Sequence, residues 1–511
     1  MSLRQSMAGL HTWGGLLPSW LLFVILFSGT VACFDKELER WMRPALHLSQ
    51  GATLTLSAEQ LRGWLQANVA DELHAFWLRP PSERTPFWLL AWEVDGSEHI
   101  ERRTFAPHSL QPLAETLGGE FFFTLHYELH GGMLGRYLVG LAGMFMLVAL
   151  ISGVIIHRRI FKDFFTLRPT ANGQRAWLDA HNLFGVAGLP FHLLMAYTGV
   201  AIFVASYMPA GVQVAYKSDL THFFSEVMGG YHREELHRPA TAAVSLDTLV
   251  EQARTHWQGG EPGWISVHHP DDASAVVEMH RADSSRIANP ADTLTFDAGT
   301  GELLHEQRAP AGYSTYLWLA GLHMAQFGGA LVRAIYLLLG LAGCAMLVAG
   351  SRVWLSKRAT RCGRGIGVVR ALNGAVFVGL PLASLALLWG NRLLPEDLPG
   401  RASWEAWVFV ASWLLLALWA VLRRHSPRLL RQQLALGALL ALGLPLLSGL
   451  LAPHGHLLAS LERGDWALAG IDLFLLLTGL LCVLCVWRLG VPSAVQVSSA
   501  QVSRGPAGEV R

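Results

Sequence analysis

Residues Leu125–Arg136 read LHYELHGGMLGR, and residues Leu322–Arg333 read LHMAQFGGALVR. Leu–His, Gly–Gly and the closing Arg fall at the same offsets in both, and each stretch opens a long apolar run. A second pair of segments keeps the same rhythm. His11 is followed eighteen residues later by Gly29 in Ser28-Gly29-Thr30, and His181 eighteen residues later by Gly199 in Thr198-Gly199-Val200. The first two-thirds of the chain therefore reads as one unit used twice: helix, polar insert, helix. In each unit both helices carry a histidine near one end.

Composition says what kind of helix this is. Of 511 residues, 52% are hydrophobic and only 15% charged, and the mean hydropathy is +0.34. That is too apolar for an ordinary soluble enzyme. The apolar residues gather into runs of about twenty, the length that crosses roughly 30 Å of hydrocarbon. A formal net charge of +1 leaves no nucleic-acid footprint. Of five cysteines only Cys33 lies near a polar insert, so no disulfide framework follows. Nineteen tryptophans suit anchoring at the lipid–water boundary.

The expected fold class is a mainly α membrane protein of about eight transmembrane helices, with two small α+β domains inserted between helices 1 and 2 and between helices 3 and 4. Spans are expected near 13–34, 133–157, 180–207, 330–355, 366–389, 404–422, 432–451 and 466–487. The domain boundaries that follow are 1–34, 35–125, 126–207, 208–318, 319–360, 361–490 and a disordered tail, 491–511. Thr30-Val31-Ala32-Cys33 loosely resembles a lipoprotein cleavage site, but Thr30 fits its first position poorly and the apolar run is long, so an uncleaved helix is expected. In the first insert, Ser57-Ala58-Glu59-Gln60 is a capping box opening a helix over Leu61–Val69, and Phe87–Val94 reads as a strand. The second insert reads as a helix near Leu246–Trp257, then strands at Trp264–His268, Ala275–His280 and Thr293–Asp297, the last turning through Gly299 and Gly301.

Positive charge marks alternate loops: Arg158, Arg159, Lys162, Arg168 and Arg175; Lys357, Arg358, Arg361, Arg364 and Arg370; Arg423, Arg424, Arg428 and Arg431. The positive-inside rule puts these loops and both termini in the cytoplasm and both inserts on the opposite side. In a Gram-negative cell that side is the periplasm and the membrane the inner one.

This topology sorts the histidines by depth. His11 and His181 fall at the cytoplasmic ends of spans one and three, and His126 and His323 at the outer ends of spans two and four. A ligating side chain in a membrane segment is a functional candidate by default. Two pairs at two depths point to two haems, each held by two neutral imidazoles, with Gly14, Gly15, Gly131, Gly132, Gly185, Gly328 and Gly329 as small neighbours. His130 lies one turn beyond His126 but aligns with Phe327 in the repeat, so His126 is preferred and His130 held in reserve, as is His192. The plain alternative is that all four are interfacial histidines bonded to backbone or lipid headgroups. His157 reads as part of the basic cluster. His74, His99, His108, His222, His232, His237, His268, His269 and His280 read as surface residues, and His454 and His456 as loop residues. Cys482 and Cys485 form a C-x-x-C inside a Leu-rich span and read as packing residues.

The repeated LH…GG…R stretches, the His181…Pro190…Thr198-Gly199 helix and the TFDAGTGELL segment at 295–304 resemble the PepSY-associated transmembrane family. Its members include iron-regulated inner-membrane proteins and siderophore-iron reductases, among them those of pyoverdine uptake with extra C-terminal helices. The resemblance covers about residues 1–360. It implies PepSY domains in the periplasm and two b-type haems, with His11, His126, His181 and His323 matching the family's helix histidines. Residues 361–511 depart from the short family pattern and bring no evident ligand set.

The expected function is an oxidoreductase, a ferric-siderophore reductase that passes electrons outward to a periplasmic ferric chelate. Reduction suits release because hard oxygen ligands hold Fe(III) better than Fe(II). Its expected partners are the chelate, membrane lipid, other siderophore-uptake proteins, and a donor that is either a quinol or a cytoplasmic flavin enzyme. The rival expectation is a non-redox siderophore transporter or a scaffold, since transporters too are built from repeats.

Overall fold

The computed structural model describes residues 2–49, 56–70, 72–97, 99–157, 165–166, 168, 173–217, 219–240, 242–282, 286–358, 364–452 and 454–490. Arg158, Arg159, Lys162, Arg361 and the tail 491–511 lie outside the described residues. Met1–Ala359 with Pro395–Ala402 form one compact unit, and Thr360–Leu394 with Ser403–Arg511 a second.

The first unit begins with α1 (Leu3–Leu16), α2 (Ser19–Ala32) and a short α3 (Asp35–Trp41). The first insert supplies α4 (Ala58–Asn68) and strands β1 (Leu73–Arg79), β2 (Trp88–Val94) and β3 (Ile100–Phe105). Then come α5 (Glu120–Glu128) and α6 (Gly132–Ile156). The second half repeats the plan with α7 (Gly173–Ala187), α8 (Leu189–Ile202) and three short helices, α9 (Val204–Tyr207), α10 (Ala210–Tyr216) and α11 (Leu220–Met228). Its insert holds α12 (Leu246–His256), β4 (Pro262–His268), β5 (Val276–Arg281), β6 (Thr293–Asp297) and β7 (Leu303–Gln307), followed by α13 (Ala311–Met324) and α14 (Gly329–Ser356).

Among the described residues, six helices are long and apolar enough to cross a membrane, and the count is eight when each of two bent pairs is one span. The bent pairs correct the reading of spans one and three as single helices. α1 and α2 meet at 60°, and α7 and α8 at 65°. Proline is the local cause. Pro18 caps α2 and Pro190 sits in the first turn of α8. A proline cannot donate to the preceding turn and its ring collides with that turn's carbonyl, so it starts a helix and does not continue one.

The repeated LH…GG…R stretch also behaves differently from its sequence reading. It ends one helix and starts another. α5 stops at Glu128, where Leu129, His130 and Gly132 take φ of 56°, 52° and 54°. α13 stops at Met324, where Ala325, Gly328 and Gly329 take φ of 54°, 71° and 64°. Left-handed backbone is cheap only for glycine, which accounts for Gly132, Gly328 and Gly329 at these corners. His126 and His323 thus belong to short helices that precede the long spans, α5 packed on α2 and α13 on α8.

The two inserts make one sheet and not two small domains. Its order is β3-β2-β1-β4-β5-β6-β7, antiparallel throughout, and β1 meets β4 through Ala75↔His268, Phe76↔Val267, Trp77↔Ser266 and Leu78↔Ile265. Each half by itself would present an open strand edge, and joining them removes both edges. A single core runs beneath α4 and α12, from Leu61 and Leu65 to Leu246 and Leu249, over Leu78, Leu90, Ile265 and Met279. The two helices cap each other. Glu59 Oε2 accepts the Leu246 N–H at 2.9 Å, and Asp247 Oδ1 accepts the Glu59 N–H at 3.2 Å. An acid at a helix N-terminus is favoured by the exposed N–H groups there.

The second unit carries the remaining spans, α15 (Arg364–Leu372) continued through a π-helical turn into α16 (Gly379–Leu393), α17 (Arg401–Leu422), α18 (Leu429–Leu451) and α20 (Trp466–Gly490), with a short α19 (Leu457–Glu462). Carbonyls at the π turn are met by side chains: Gln433 Nε2 donates to Gly374 and Trp413 Nε1 to Ala375. A buried polar chain ties three helices, Arg392 Nη1 to Asn391 Oδ1, Asn391 Nδ2 to Glu405 Oε1 and Arg392 Nε to Ser448 Oγ, at 2.7, 2.9 and 3.1 Å. His456 caps α19 through Nδ1. Cys482 is half-buried and Cys485 exposed, so only the first matches a packing role.

Candidate functional site

The four repeat-related histidines come together as two pairs. His11 on α1 faces His181 on α7 with ring centroids 6.1 Å apart. His126 on α5 faces His323 on α13 with centroids 5.9 Å apart. Each pair joins one half of the repeat to the other.

Backbone and hydroxyl acceptors set the tautomer of every ring. His11 Nδ1 donates to the Ala149 carbonyl, His181 Nδ1 to that of Met346 and His126 Nδ1 to that of Ile25, at 2.9, 2.9 and 2.8 Å. A carbonyl only accepts, so Nδ1 carries the proton and Nε2 keeps its lone pair. His323 reaches the same state through a hydroxyl. Thr198 Oγ1 gives its proton to the Leu194 carbonyl at 2.7 Å and accepts from His323 Nδ1 at 2.8 Å. This is the outer support that metal-binding imidazoles use to fix ring orientation.

A glycine lies against each of the four rings. A methyl group built on Gly29 would lie 2.6 Å from His126 Nδ1. At Gly199, Gly153 and Gly350 it would lie 3.1 Å from His323, His11 and His181 respectively. Gly29 and Gly199 are the repeat-related glycines of the sequence. Gly153 and Gly350 were not singled out there, although each follows its unit's second histidine, His126 or His323, by the same interval. That matched spacing was the available signal. Of the glycines the sequence offered as small neighbours, Gly15 and Gly185 line a cavity, while Gly132, Gly328 and Gly329 serve the corners.

Each imidazole pair opens on its own cavity. The sheet-distal cavity, about 360 Å³, is lined by His11 and His181 and has Lys357, Arg358 and His157 at its wall. The sheet-proximal cavity, about 460 Å³, is lined by His126 and His323 and by Arg84 and Arg136. Both fall in the size range of small-molecule sites. Leu22 and Met146 line both cavities, so one layer of side chains separates them. Along α14, Gly340 borders the proximal cavity and Gly350 the distal pair, a separation of about 15 Å at 1.5 Å per residue.

The reserve histidines do not join either pair. His130 is off the helix, not one turn further along it: it is exposed, stacks on Phe121 at 4.6 Å and donates from Nε2 to the Phe121 carbonyl. His192 is fully buried at a level between the cavities, with Nε2 donating to the Leu339 carbonyl at 3.2 Å. In and beside the sheet, His268, His269 and His280 are half-buried, and His280 bonds Thr293 Oγ1 at 2.9 Å. Arg84 escaped sequence reading because it reaches the proximal cavity from a loop of the first insert.

Among the described residues, no three His, Cys, Asp or Glu side chains converge as on a bare metal ion. Two facing imidazoles suit a planar cofactor that brings four in-plane donors of its own. A metal held about 2 Å from each Nε2 separates the ring centroids by about 6 Å, as both pairs are spaced. The apolar walls and the small residues beside each ring leave room for such a plane.

Comparison with known proteins agrees with this architecture. The family model for the PepSY-associated TM region matches residues 8–357, a range that holds both imidazole pairs. An uncharacterized protein of Pseudomonas aeruginosa is 29% identical over 394 residues, spanning 73% of this chain and 96% of its own length. This multi-pass membrane protein belongs to the PepSY-associated TM family.

Proposed function

We propose that this chain is a di-haem electron carrier of the bacterial inner membrane that reduces a ferric siderophore on the side bearing the sheet. The observation that carries the reading is the two pairs of facing imidazoles, at 5.9 and 6.1 Å, each ring with Nδ1–H committed and Nε2 directed by that bond. His11 and His181 would hold one haem b, and His126 and His323 the other. When bound, the two haems supply one-electron redox chemistry at two depths. The chain's own residues do the rest. Ala149, Met346, Ile25 and Thr198 fix the rings, Leu22 and Met146 keep water out of the wall between the cavities, and Lys357, Arg358, Arg84 and Arg136 offer cations at their polar ends.

Three alternate basic loops support placing the sheet in the periplasm and both termini in the cytoplasm. An acceptor on the sheet side would receive electrons from the proximal site, and a quinol or a cytoplasmic flavin enzyme would supply the distal one. A ferric chelate with hard oxygen ligands gains lability on reduction, which is the use such a carrier has in iron uptake. A pyridine haemochrome assay on folded protein from haem-replete cells tests this. Two haems per chain are expected, and none would leave the transporter or scaffold reading in its place.

A further inference from the structure

The mouth of the sheet-proximal cavity holds two guanidiniums with donors to spare. Arg136 is half-buried, gives Nη2 to Glu128 at 3.0 Å and lies over the Tyr127 and Phe203 rings at 5.6 and 5.1 Å. Its Nε is buried with no acceptor among the described residues. Arg84 comes from the loop between β1 and β2. Its Nε and Nη2 bind Glu37 at 2.9 and 2.7 Å, and Nη2 also reaches the Cys33 carbonyl at 3.4 Å. That leaves Nη1 without a bond to any described residue. Around this mouth four cations, Arg84, Arg136, Arg333 and Lys36, face three carboxylates, Asp35, Glu37 and Glu128. Both guanidiniums line the cavity, and Arg84 Nη1 is the donor left for an acceptor from outside the chain.

We infer that Arg84 and Arg136 form a carboxylate clamp at the mouth of the sheet-proximal cavity, binding carboxylate groups of whatever occupies it. The inference rests on the proposed function for one of two sources of carboxylate, the side-chain acids of the proximal haem. The other source is an acidic ferric chelate arriving from the sheet side. Planar guanidinium forks suit carboxylates, singly or in pairs. Two consequences follow. The first insert contributes a residue directly to a site between membrane helices. The cations also favour the reduced, more negative state of a nearby redox centre.

Arg84→Gln and Arg136→Gln are the test, with Arg84→Lys and Arg136→Lys as charge-keeping controls for folding. If the carboxylate is the cofactor's, each Gln variant shifts the reduction equilibrium of the proximal haem about tenfold toward the oxidised form, about 59 mV for one electron. The distal haem stays put and the Lys variants recover most of the shift. Wild-type apoprotein then takes up haem in preference to haem dimethyl ester at the proximal site, and the Gln variants lose that preference. If the carboxylate is the chelate's, both potentials stay unchanged, while KM rises for ferric citrate and not for a neutral ferric trihydroxamate. Gln variants with unchanged potentials, no loss of ester discrimination and unchanged KM for both chelates overturn the clamp. Haem-free folded wild type overturns the proposed function instead, and ferric-citrate binding to wild type against the Gln variants then decides the clamp alone.

Discussion

His126 and His323 come from opposite halves of the repeat, yet their rings lie 5.9 Å apart with planes inclined by 30°. Neither ring is placed by its partner. His126 is held by the Ile25 carbonyl of α2 and His323 by Thr198 of α8, so each half of the repeat positions its own imidazole through its own residues. The same holds for His11, held by the Ala149 carbonyl of α6, and His181, held by the Met346 carbonyl of α14. Mutations can therefore address the two sites separately.

The histidine variants follow from that separation. His323→Ala should lose or convert the proximal haem and keep the distal one, and His11→Ala the reverse, each retaining about half the haem of wild type. Ferric-chelate reduction should fall in both. His130→Ala and His192→Ala should keep both haems, because neither ring reaches a cavity pair. Full haem and full activity in all four pair variants, read by haemochrome and chelate reduction, would contradict the assignment.

The glycines behind the rings predict a graded series. A methyl group at Gly29 would meet His126 at 2.6 Å, inside any real contact, whereas at Gly153 it would meet His11 at 3.1 Å. Gly29→Ala should displace His126 and cost the proximal haem, while Gly153→Ala should keep most of the distal one and Gly153→Val lose it. Overpacking of this kind costs about 1–3 kcal/mol. Equal haem content in Gly29→Ala and wild type would show that the ring is free to move.

Sidedness is open to a direct test. An export-dependent reporter fused after Ser97 or after Asp283 should be active, and one after Gly173 silent, because the basic segments are expected to stay in the cytoplasm. Activity after Gly173 with silence at the other two positions inverts the topology. It would leave the pairing of the imidazoles untouched.

Asp297 predicts a local acid sensitivity in the sheet. Burial pushes its carboxyl up, but the Arg233 guanidinium at 2.8 Å and the N–H groups of Thr300 and Gly299 outweigh that and hold it below the usual carboxylate range. A carboxylate depressed by folding contributes stability that is full above its unfolded value, about 3.9, and is lost as pH falls through its lower folded value. Protection of the Gly299 and Thr300 amides against exchange, taken relative to the intrinsic rate at each pH, should fall below about pH 4 before the rest of the sheet loosens. Exchange there that tracks global unfolding would remove Asp297 as the cause.

Much of this arrangement was legible in the chain. The matched offsets of His11, His126, His181 and His323 identified the four rings, because a repeated unit that binds with one residue must repeat that residue. Span lengths followed from the thickness of hydrocarbon, and the capping box at Ser57 was met as expected. The two breaks were visible as Pro18 and Pro190, yet proline is also tolerated in membrane helices, so local sequence did not decide between a kink and a continuous span.

Tertiary structure decided the rest. Which histidine faces which depends on packing between halves, and no spacing encodes a ring-to-ring distance. His130 was excluded by the left-handed backbone at Leu129, which turns it away from α5, the helix packed on α2, as the chain passes into α6 on α1. The two inserts became one sheet because β1 and β4 each had an open edge, a fact about strand order and not about any residue in them. Arg84 reached the membrane site for the same reason: the strands that carry its loop are anchored elsewhere. A sequence by itself determines which groups recur and how far each helix can reach. Long-range packing decides which of them share a cavity, because that depends on contacts between residues hundreds of positions apart.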